Sequence, residues 1–507
     1  MEKKKPILAL SHVTKRFGDV AANEDVSLSV NEGEILALLG ENGSGKTTLM
    51  NMIAGIYYPD EGEIYVKGER VVIASPRDAF ALGIGMIHQH FKLVDVLTAA
   101  ENIVLGLEEE GRLDLKASVE RIQSICDKYG FVIDPEKKIY NMSVSEKQTV
   151  EIVKVLYRKA ALLILDEPTA VLTPQETQKL FDVLRNMKKD GKSVIIITHK
   201  LTEVLEISDR VAILRKGRYI CSVNTAEADV QKLTDAMVGH SVTLNIERPV
   251  PQNPKNRIIV EGLTVRNEDG IEKLKDVSFT ARSGEILGIA GIAGNGQKEL
   301  LEAIAGLQPV ESGHISYVGE DGAREELVGK DPQAIMDLGV SLAFVPEDRL
   351  GMGLVGNMDL VGNMMLRSFR SGHGVFTDRK NPRDLANRIV DKLEVNTPGI
   401  ATMVRKLSGG NVQKILVGRE IAAAPTVLLT AYAVRGLDIH SSYTIYELIN
   451  QQKKAGVAVI YVGEDLDVLI ELCDSILVLC DGQVSGIVDA RNTDKQQIGL
   501  MMTTVSN

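Results

Sequence analysis

The sequence predicts an α/β protein made of two tandem domains, each a mostly parallel sheet core with a helical subdomain. Three observations predict it. The 507 residues exceed what one hydrophobic core organises, since single cores stop growing near roughly 250–300 residues. The segment "VSLSVNEGEILALLGENGSGKTTLMNMIAGIYYPDEGEI" in the first half recurs as "VSFTARSGEILGIAGIAGNGQKELLEAIAGLQPVESGHI" in the second, with the same order of elements. In each copy a short apolar strand runs into a Gly-rich loop. A helical pattern follows, with apolar residues three and four apart such as Leu49, Ile53 and Ile56.

Further along the first copy, "ALLILDEP" and "SVIIITH" have the length and β-branched content of buried parallel strands, with helical stretches between them. The stretch from Gln89 to Val150 reads as mostly helical, with Ile122, Ile125 and Cys126 spaced for one face. It is expected to be a subdomain inserted into the first half. Between the copies, "IERPVPQNPKNR" concentrates three prolines among polar residues, as an extended joint should. The expected organisation is a first domain over 1–245, a Pro-rich linker over 246–256 and a second domain over 257–507.

Composition is that of a folded globular chain, 44% hydrophobic and 25% charged. A net charge of −11 argues against gripping a nucleic-acid backbone and against direct adhesion to an anionic lipid surface. The four cysteines, Cys126, Cys221, Cys473 and Cys480, form no C-x-x-C pair, and no secretory apolar region follows "MEKKKPILAL". Both features point to a reducing cytosol. No apolar run approaches the roughly 18 residues of a membrane span, so membrane attachment is expected to run through a protein partner.

Chemistry concentrates first at "GENGSGKT", Gly40 to Thr47, between a predicted strand and a predicted helix. The glycines Gly40, Gly43 and Gly45, with Glu41, Asn42 and Ser44, let backbone N–H groups wrap phosphates at a helix N-terminus, which Thr48 continues. Lys46 supplies a positive point charge to the β and γ phosphates, and the Thr47 hydroxyl suits Mg²⁺. "LLILDE" then places Asp166 and Glu167 at the end of an apolar strand. There one carboxylate can hold hydrated Mg²⁺ and its neighbour can polarise an attacking water.

With "SVSEKQ", "HQH" and "ITHK" added, the chain resembles the ATP-binding-cassette ATPases over essentially its whole length, twice. The resemblance implies ATP and Mg²⁺ as cofactors. It makes Gln89 the glutamine that reaches Mg²⁺ and water while sensing a transmembrane partner, and it puts His199 against the γ-phosphate. Phe17, in "KRFGDV", takes the position at which this family stacks an aromatic on adenine. Read alone, a histidine after a strand is a capping or packing residue, and an exposed aromatic is ordinary edge packing.

The second copy departs from the pattern in a consistent way. Its loop "GIAGNGQK" keeps Gly291, Gly294 and Gly296 but sets Gln297 against Lys46 and Lys298 against Thr47. Lys298 cannot stand in for Lys46, because neighbouring helical residues point about 100° apart. Ala431 falls at the Asp166 position, Tyr432 at the Glu167 position, Glu347 of "VPEDR" at the Gln89 position and Glu464 at the His199 position. A carboxylate beside the γ-phosphate would repel it. Signature motifs reverse the bias: "LSGGN" in the second copy keeps Ser408, Gly409 and Gly410, whereas "MSVSE" in the first has Ser143, then Val144 and Ser145 in place of the glycines. In this family two cassettes pair head to tail, each ATP lying between one phosphate loop and the other signature. The resemblance therefore implies one hydrolytic site and one degenerate site.

The second signature "LSGGNVQK" and the segment "FVPEDR" resemble the ATP-binding subunits of bacterial simple-sugar and nucleoside importers, and "MIHQHFKLVDVLTAAENIVLG" looks closer to the nucleoside branch. The ribose, galactose or xylose branch is the alternative. Implied partners are two integral-membrane permease subunits and an extracellular or periplasmic substrate-binding lipoprotein, with the chain peripheral on the cytoplasmic face. "TAYAVRGLD" and Ser145 depart from the family pattern, both in the degenerate site. A soluble ribosome-associated tandem cassette normally has two intact sites and a long charged helical linker, and a DNA-repair relative would carry zinc-binding C-x-x-C pairs. A non-hydrolytic module is opposed by the intact first site.

Overall fold

The computed structural model describes residues 6–88, 91–107, 114–170, 172–198, 200–239, 246–267, 270–337, 342–346, 348–369 and 377–504. The chain divides into two compact units, residues 1–243 and 244–507.

In the first unit the strands are β1 (Pro6–Phe17), β2 (Val20–Asn31), β3 (Ile35–Leu39), β4 (Glu61–Val66), β5 (Glu69–Val71), β6 (Ile84–Ile87), β7 (Leu162–Asp166), β8 (Ser193–Ile197), β9 (Arg210–Arg215) and β10 (Arg218–Asn224). The second unit has β11 (Asn256–Arg266), β12 (Glu272–Arg282), β13 (Ile286–Gly291), β14 (Ser312–Val318), β15 (Arg324–Glu326), β16 (Leu342–Val345), β17 (Val427–Ala431), β18 (Ala458–Val462), β19 (Ser475–Cys480) and β20 (Gln483–Asp489). Their sheet orders are the same. Each unit has a four-stranded sheet, β2-β1-β4-β5 or β12-β11-β14-β15. Each also has a six-stranded one, β10-β9-β3-β8-β7-β6 or β20-β19-β13-β18-β17-β16. The six-stranded sheets are parallel except at β9/β10 and β19/β20, as the apolar strand pattern requires.

This strand order does the positioning. β8 lies between β3 and β7, with Leu38 and Asp166 both in register with Ile197. The loop after β3 and the carboxylates after β7 therefore emerge at one edge of the sheet, where open α/β sheets bind ligands. β3 is fully buried along its length, so its end is held by packing on both faces. The four-stranded sheet packs over the helix Lys46–Ile53 through Leu10, Val13, Val26, Leu49 and Ile53.

The inserted stretch holds helices Ala99–Val104, Leu115–Tyr129 and Val144–Tyr157. Ile103, Ile122, Cys126, Val150 and Val153 form their shared core, with Ile125 half-buried against it. Ile56 corrects the sequence expectation: it lies beyond the end of the helix and is 44% exposed. Gly55, at φ 74°, ends the helix, and a Cβ there would meet the Ser75 carbonyl oxygen at 2.2 Å.

The Pro-rich segment is fastened to the second unit. Arg248 donates to the Ile470 and Cys473 carbonyls at 2.7 and 3.0 Å, and Asn450 donates to the Glu247 carbonyl at 2.5 Å.

Candidate functional site

The loop from Gly40 to Gly45 turns tightly because three of its residues have positive φ: Gly40 at 157°, Gly43 at 78° and Gly45 at 93°. At Gly45 the close approach also matters, since a Cβ would meet the Ala22 carbonyl oxygen at 2.3 Å. Asn23, fully buried, donates to the Gly45 carbonyl at 3.2 Å and braces the turn from β2. Lys46 opens the helix and folds back over the loop, its Nζ donating to the Gly40 and Glu41 carbonyls at 2.7 and 2.9 Å. An ammonium held by its own loop stands ready to exchange carbonyl oxygens for phosphate oxygens. Ser44 is buried beneath it, while Asn42, Gly43 and Thr47 face solvent and Thr48 is half-buried.

Asp166 ends β7, buried, and the Thr47 hydroxyl donates to its carboxylate. Burial first, then the neighbouring Glu167 charge, pushes the Asp166 carboxyl up to about 6; Lys46 and the Thr47 hydrogen bond pull the other way. Burial lowers the Lys46 ammonium, opposed by Glu167, Asp166 and Glu41. Two adjacent acidic side chains and a hydroxyl therefore meet at the strand end beside one resident cation. Hard oxygen donors, with Asp166 buried where a negative charge is penalised, fit a divalent cation such as Mg²⁺, which keeps most of its waters. Glu167 stands at φ 50°, an uncommon backbone conformation for a residue other than glycine. Lys46, Thr47, Asp166 and Glu167 are thus brought together. Gln89 and His199 lie outside the described residues.

Phe17, at the end of β1, is 46% exposed and packs edge-to-face on Tyr57 at 5.2 Å, with Lys15 over its ring. An exposed aromatic pair suits stacking on a planar base. Tyr57 was not legible as its partner, because it follows the helix end that Gly55 sets. Gln148, the last residue of "SVSEKQ", is a further site-supporting residue: buried, it donates to the Pro168 carbonyl at 2.7 Å, just after Glu167.

In the second unit the loop geometry persists while its chemistry does not. Gly294 and Gly296 keep φ 93° and 99°, and Gln297 is buried at the Lys46 position. Its amide donates to the Ile292 carbonyl at 3.1 Å, the counterpart of the Lys46 contact with Glu41. The loop is closed as before, without the charge. Lys298 turns along its helix to Glu302 at 3.7 Å. A cleft of about 380 Å³ opens among Lys298, Glu302, Phe344, Asp348, Met352 and Ala431, so a lysine stands at the Thr47 position and an alanine at the Asp166 position. Glu464 pairs with Arg435 at 3.2 Å, and Glu347 lies outside the described residues. Gly291 leaves β13 into this loop.

The two signature turns differ in charge. Ser143 caps its helix in a box with Glu146: Glu146 accepts from the Ser143 N–H at 2.7 Å and is paired with Lys137 at 2.7 Å. A carboxylate thus fills the helix N-terminus next to Ser145, which disfavours an incoming anion. Ser408 caps the helix Gly409–Ala422 with no acid in its first turn, Asn411 Nδ2 donating to its hydroxyl at 2.9 Å. Ser408 and Gly409 are exposed and Gly410 half-buried.

Residues 23–170 and 274–430 match the family described as ABC transporter. The chain is 41% identical over 503 residues to the nucleoside import ATP-binding protein NupA of Lactococcus lactis subsp. cremoris, covering 98% of both chains. It is 41% identical over 502 residues to the guanosine import ATP-binding protein NupO of Bacillus subtilis, covering 98% of this chain and 97% of that one. With the glucose import ATP-binding protein TsgD13 of Haloferax volcanii it shares 40% over 537 residues, covering 99% and 96%. A phosphate loop with its acids intact in one copy, the same fold in the other, and a match on each half agree: the chain belongs to the ABC transporter family.

Proposed function

We propose that this chain is the ATP-hydrolysing subunit of an importer that carries nucleosides across the cell membrane. The observation that carries the catalytic part is the convergence of Lys46, Thr47, Asp166 and Glu167 in the first unit. Bound Mg²⁺ supplies the positive charge that the phosphates of ATP need. The Gly40–Gly45 amides wrap the phosphates, and Lys46 leaves its two carbonyls for phosphate oxygens. Thr47 and Asp166 offer the cation its protein oxygens; Glu167 orients the attacking water and accepts its proton. Gln89 and His199 are assigned the water and γ-phosphate contacts, Phe17 the adenine, and Ser408, Gly409 and Gly410 the signature side of the same ATP. The second copy, with Gln297, Lys298, Ala431 and Tyr432, is assigned a non-hydrolytic role.

Two permeases and an outer substrate-binding lipoprotein are the proposed partners, with the chain peripheral at the cytoplasmic face. No helix among the described residues is long and apolar enough to cross a membrane, which favours attachment through the permeases. The nucleoside assignment is supported by the two relatives named for nucleoside and guanosine import; the relative named for glucose import supports simple sugar as the second reading. Uptake of a labelled nucleoside and of labelled ribose or glucose, compared in cells with and without the chain, tests it. Nucleoside uptake should be lost and be restored by the wild type but not by Glu167→Gln. Loss of sugar uptake alone would overturn the nucleoside assignment.

A further inference from the structure

The connection after β16 is longer than the one after β6. Asn102 Oδ1 accepts from the Val94 N–H at 2.7 Å, and Asn363 Oδ1 accepts from the Val355 N–H at 2.8 Å, so Val94 and Val355 are equivalent points. Counted back to Gln89 and Glu347, the second copy is three residues longer. The longer connection contains a wide turn, Arg349–Gly353, which Asp348 caps by accepting from the Leu350 and Gly351 N–H groups at 3.2 and 2.7 Å.

This turn grips the signature helix at two levels. Toward its C-terminal end, Arg419 donates to the Gly353 carbonyl at 2.6 Å and is held by the fully buried Glu420, which Arg367 also pairs. At its N-terminal end, Arg349 Nη1 donates to the Gly409 carbonyl at 3.2 Å, while Nη2 donates to the Arg435 carbonyl in the loop after β17. One guanidinium spans the first residue of the signature helix and the segment that follows Tyr432.

In the first copy a glutamine makes the matching link: Gln148 joins the signature helix to Pro168. Its counterpart Gln413 is buried, and neither amide atom has a hydrogen-bond partner among the described residues. The tie between signature helix and post-strand loop is thus carried by a different residue in the copy whose signature is intact.

We propose that Arg349 is a positioning residue for ATP hydrolysis: it clamps the Gly409 and Arg435 carbonyls and so fixes the pose of the Ser408–Gly410 turn. The inference rests on the reading that this turn serves the ATP held by Lys46. Nη1 and Nη2 lie in one rigid plane and reach the carbonyls of two separate segments, an arrangement that the single nitrogen of a lysine does not reproduce.

The test measures ATP turnover against ATP concentration, together with the melting midpoint, for Arg349→Ala, Arg349→Lys and Ser408→Arg in the complex with its membrane partners. Both Arg349 variants should lose about tenfold to a hundredfold in kcat/KM, the cost of a misplaced site group, with unchanged melting midpoints and no rescue by lysine. Near-normal kcat/KM in either Arg349 variant, with Ser408→Arg inactive, overturns the clamp and leaves the site reading intact. A loss tracking a lowered melting midpoint in both Arg349 variants assigns the residue to stability and also overturns it. Normal turnover in Ser408→Arg overturns the underlying reading instead.

Discussion

Glu167 and Tyr432 share one unusual backbone state: φ is 50° at one and 52° at the other, and each donates its N–H to the last residue of the neighbouring parallel strand, Ile197 at 2.8 Å and Val462 at 2.9 Å. The backbone that carries the Glu167 carboxylate is therefore preserved in the second copy around a phenol. Glu167→Gln should abolish ATP turnover, and Tyr432→Phe should leave most of it, as read by steady-state phosphate release. Comparable losses would mean that both copies hydrolyse.

Asp166 predicts a trade of stability for function. Its folded carboxyl, raised to about 6, gives a contribution that is full at low pH and lost as pH rises through that value, so the ionised form destabilises the ligand-free fold at neutral pH. Asp166→Asn should melt higher than wild type at pH 7.5, by up to about 2 kcal/mol, and the gap should close by about pH 4. Its Mg²⁺-dependent turnover should be lost. A lower melting midpoint in ligand-free Asp166→Asn at neutral pH would contradict the burial argument.

Gly45 is constrained by both conformation and space. Gly45→Ala should lower stability by roughly 2 kcal/mol and abolish turnover, because the new methyl group would collide with the Ala22 carbonyl. Chemical denaturation reads the first effect, and steady-state phosphate release the second.

Phe17, paired with Tyr57, should contribute to adenine binding. Phe17→Ala is expected to raise KM for ATP about tenfold, equivalent to ~1.4 kcal/mol, with kcat little changed. GTP, whose base stacks similarly, should suffer alongside. An unchanged KM would return Phe17 to edge packing.

Restoring the loop alone should not revive the second copy. Gln297→Lys with Lys298→Thr supplies the phosphate charge and the hydroxyl, yet Ala431 still offers no carboxylate and Tyr432 no base. In a Glu167→Gln background this double change is expected to give no turnover, while tightening nucleotide binding. Appreciable hydrolysis would show that the missing acids are not what silences this copy.

The sequence by itself determined the duplication, the buried strands, the phosphate loop and the one-sided loss of chemistry, because each is written in consecutive residues: a glycine spacing, an apolar run, an acid pair at a strand end. Only the tertiary structure decided which distant residues meet. Thr47 reaches Asp166 because β8 intervenes between β3 and β7; Asn23 braces Gly45 from another sheet; Ile56, periodic on paper, is turned outward by Gly55; and Arg349 reaches its two carbonyls from the longer connection after β16. Local patterns record what each segment prefers, whereas strand order and the ends of helices fix which backbone groups remain for a side chain to bind.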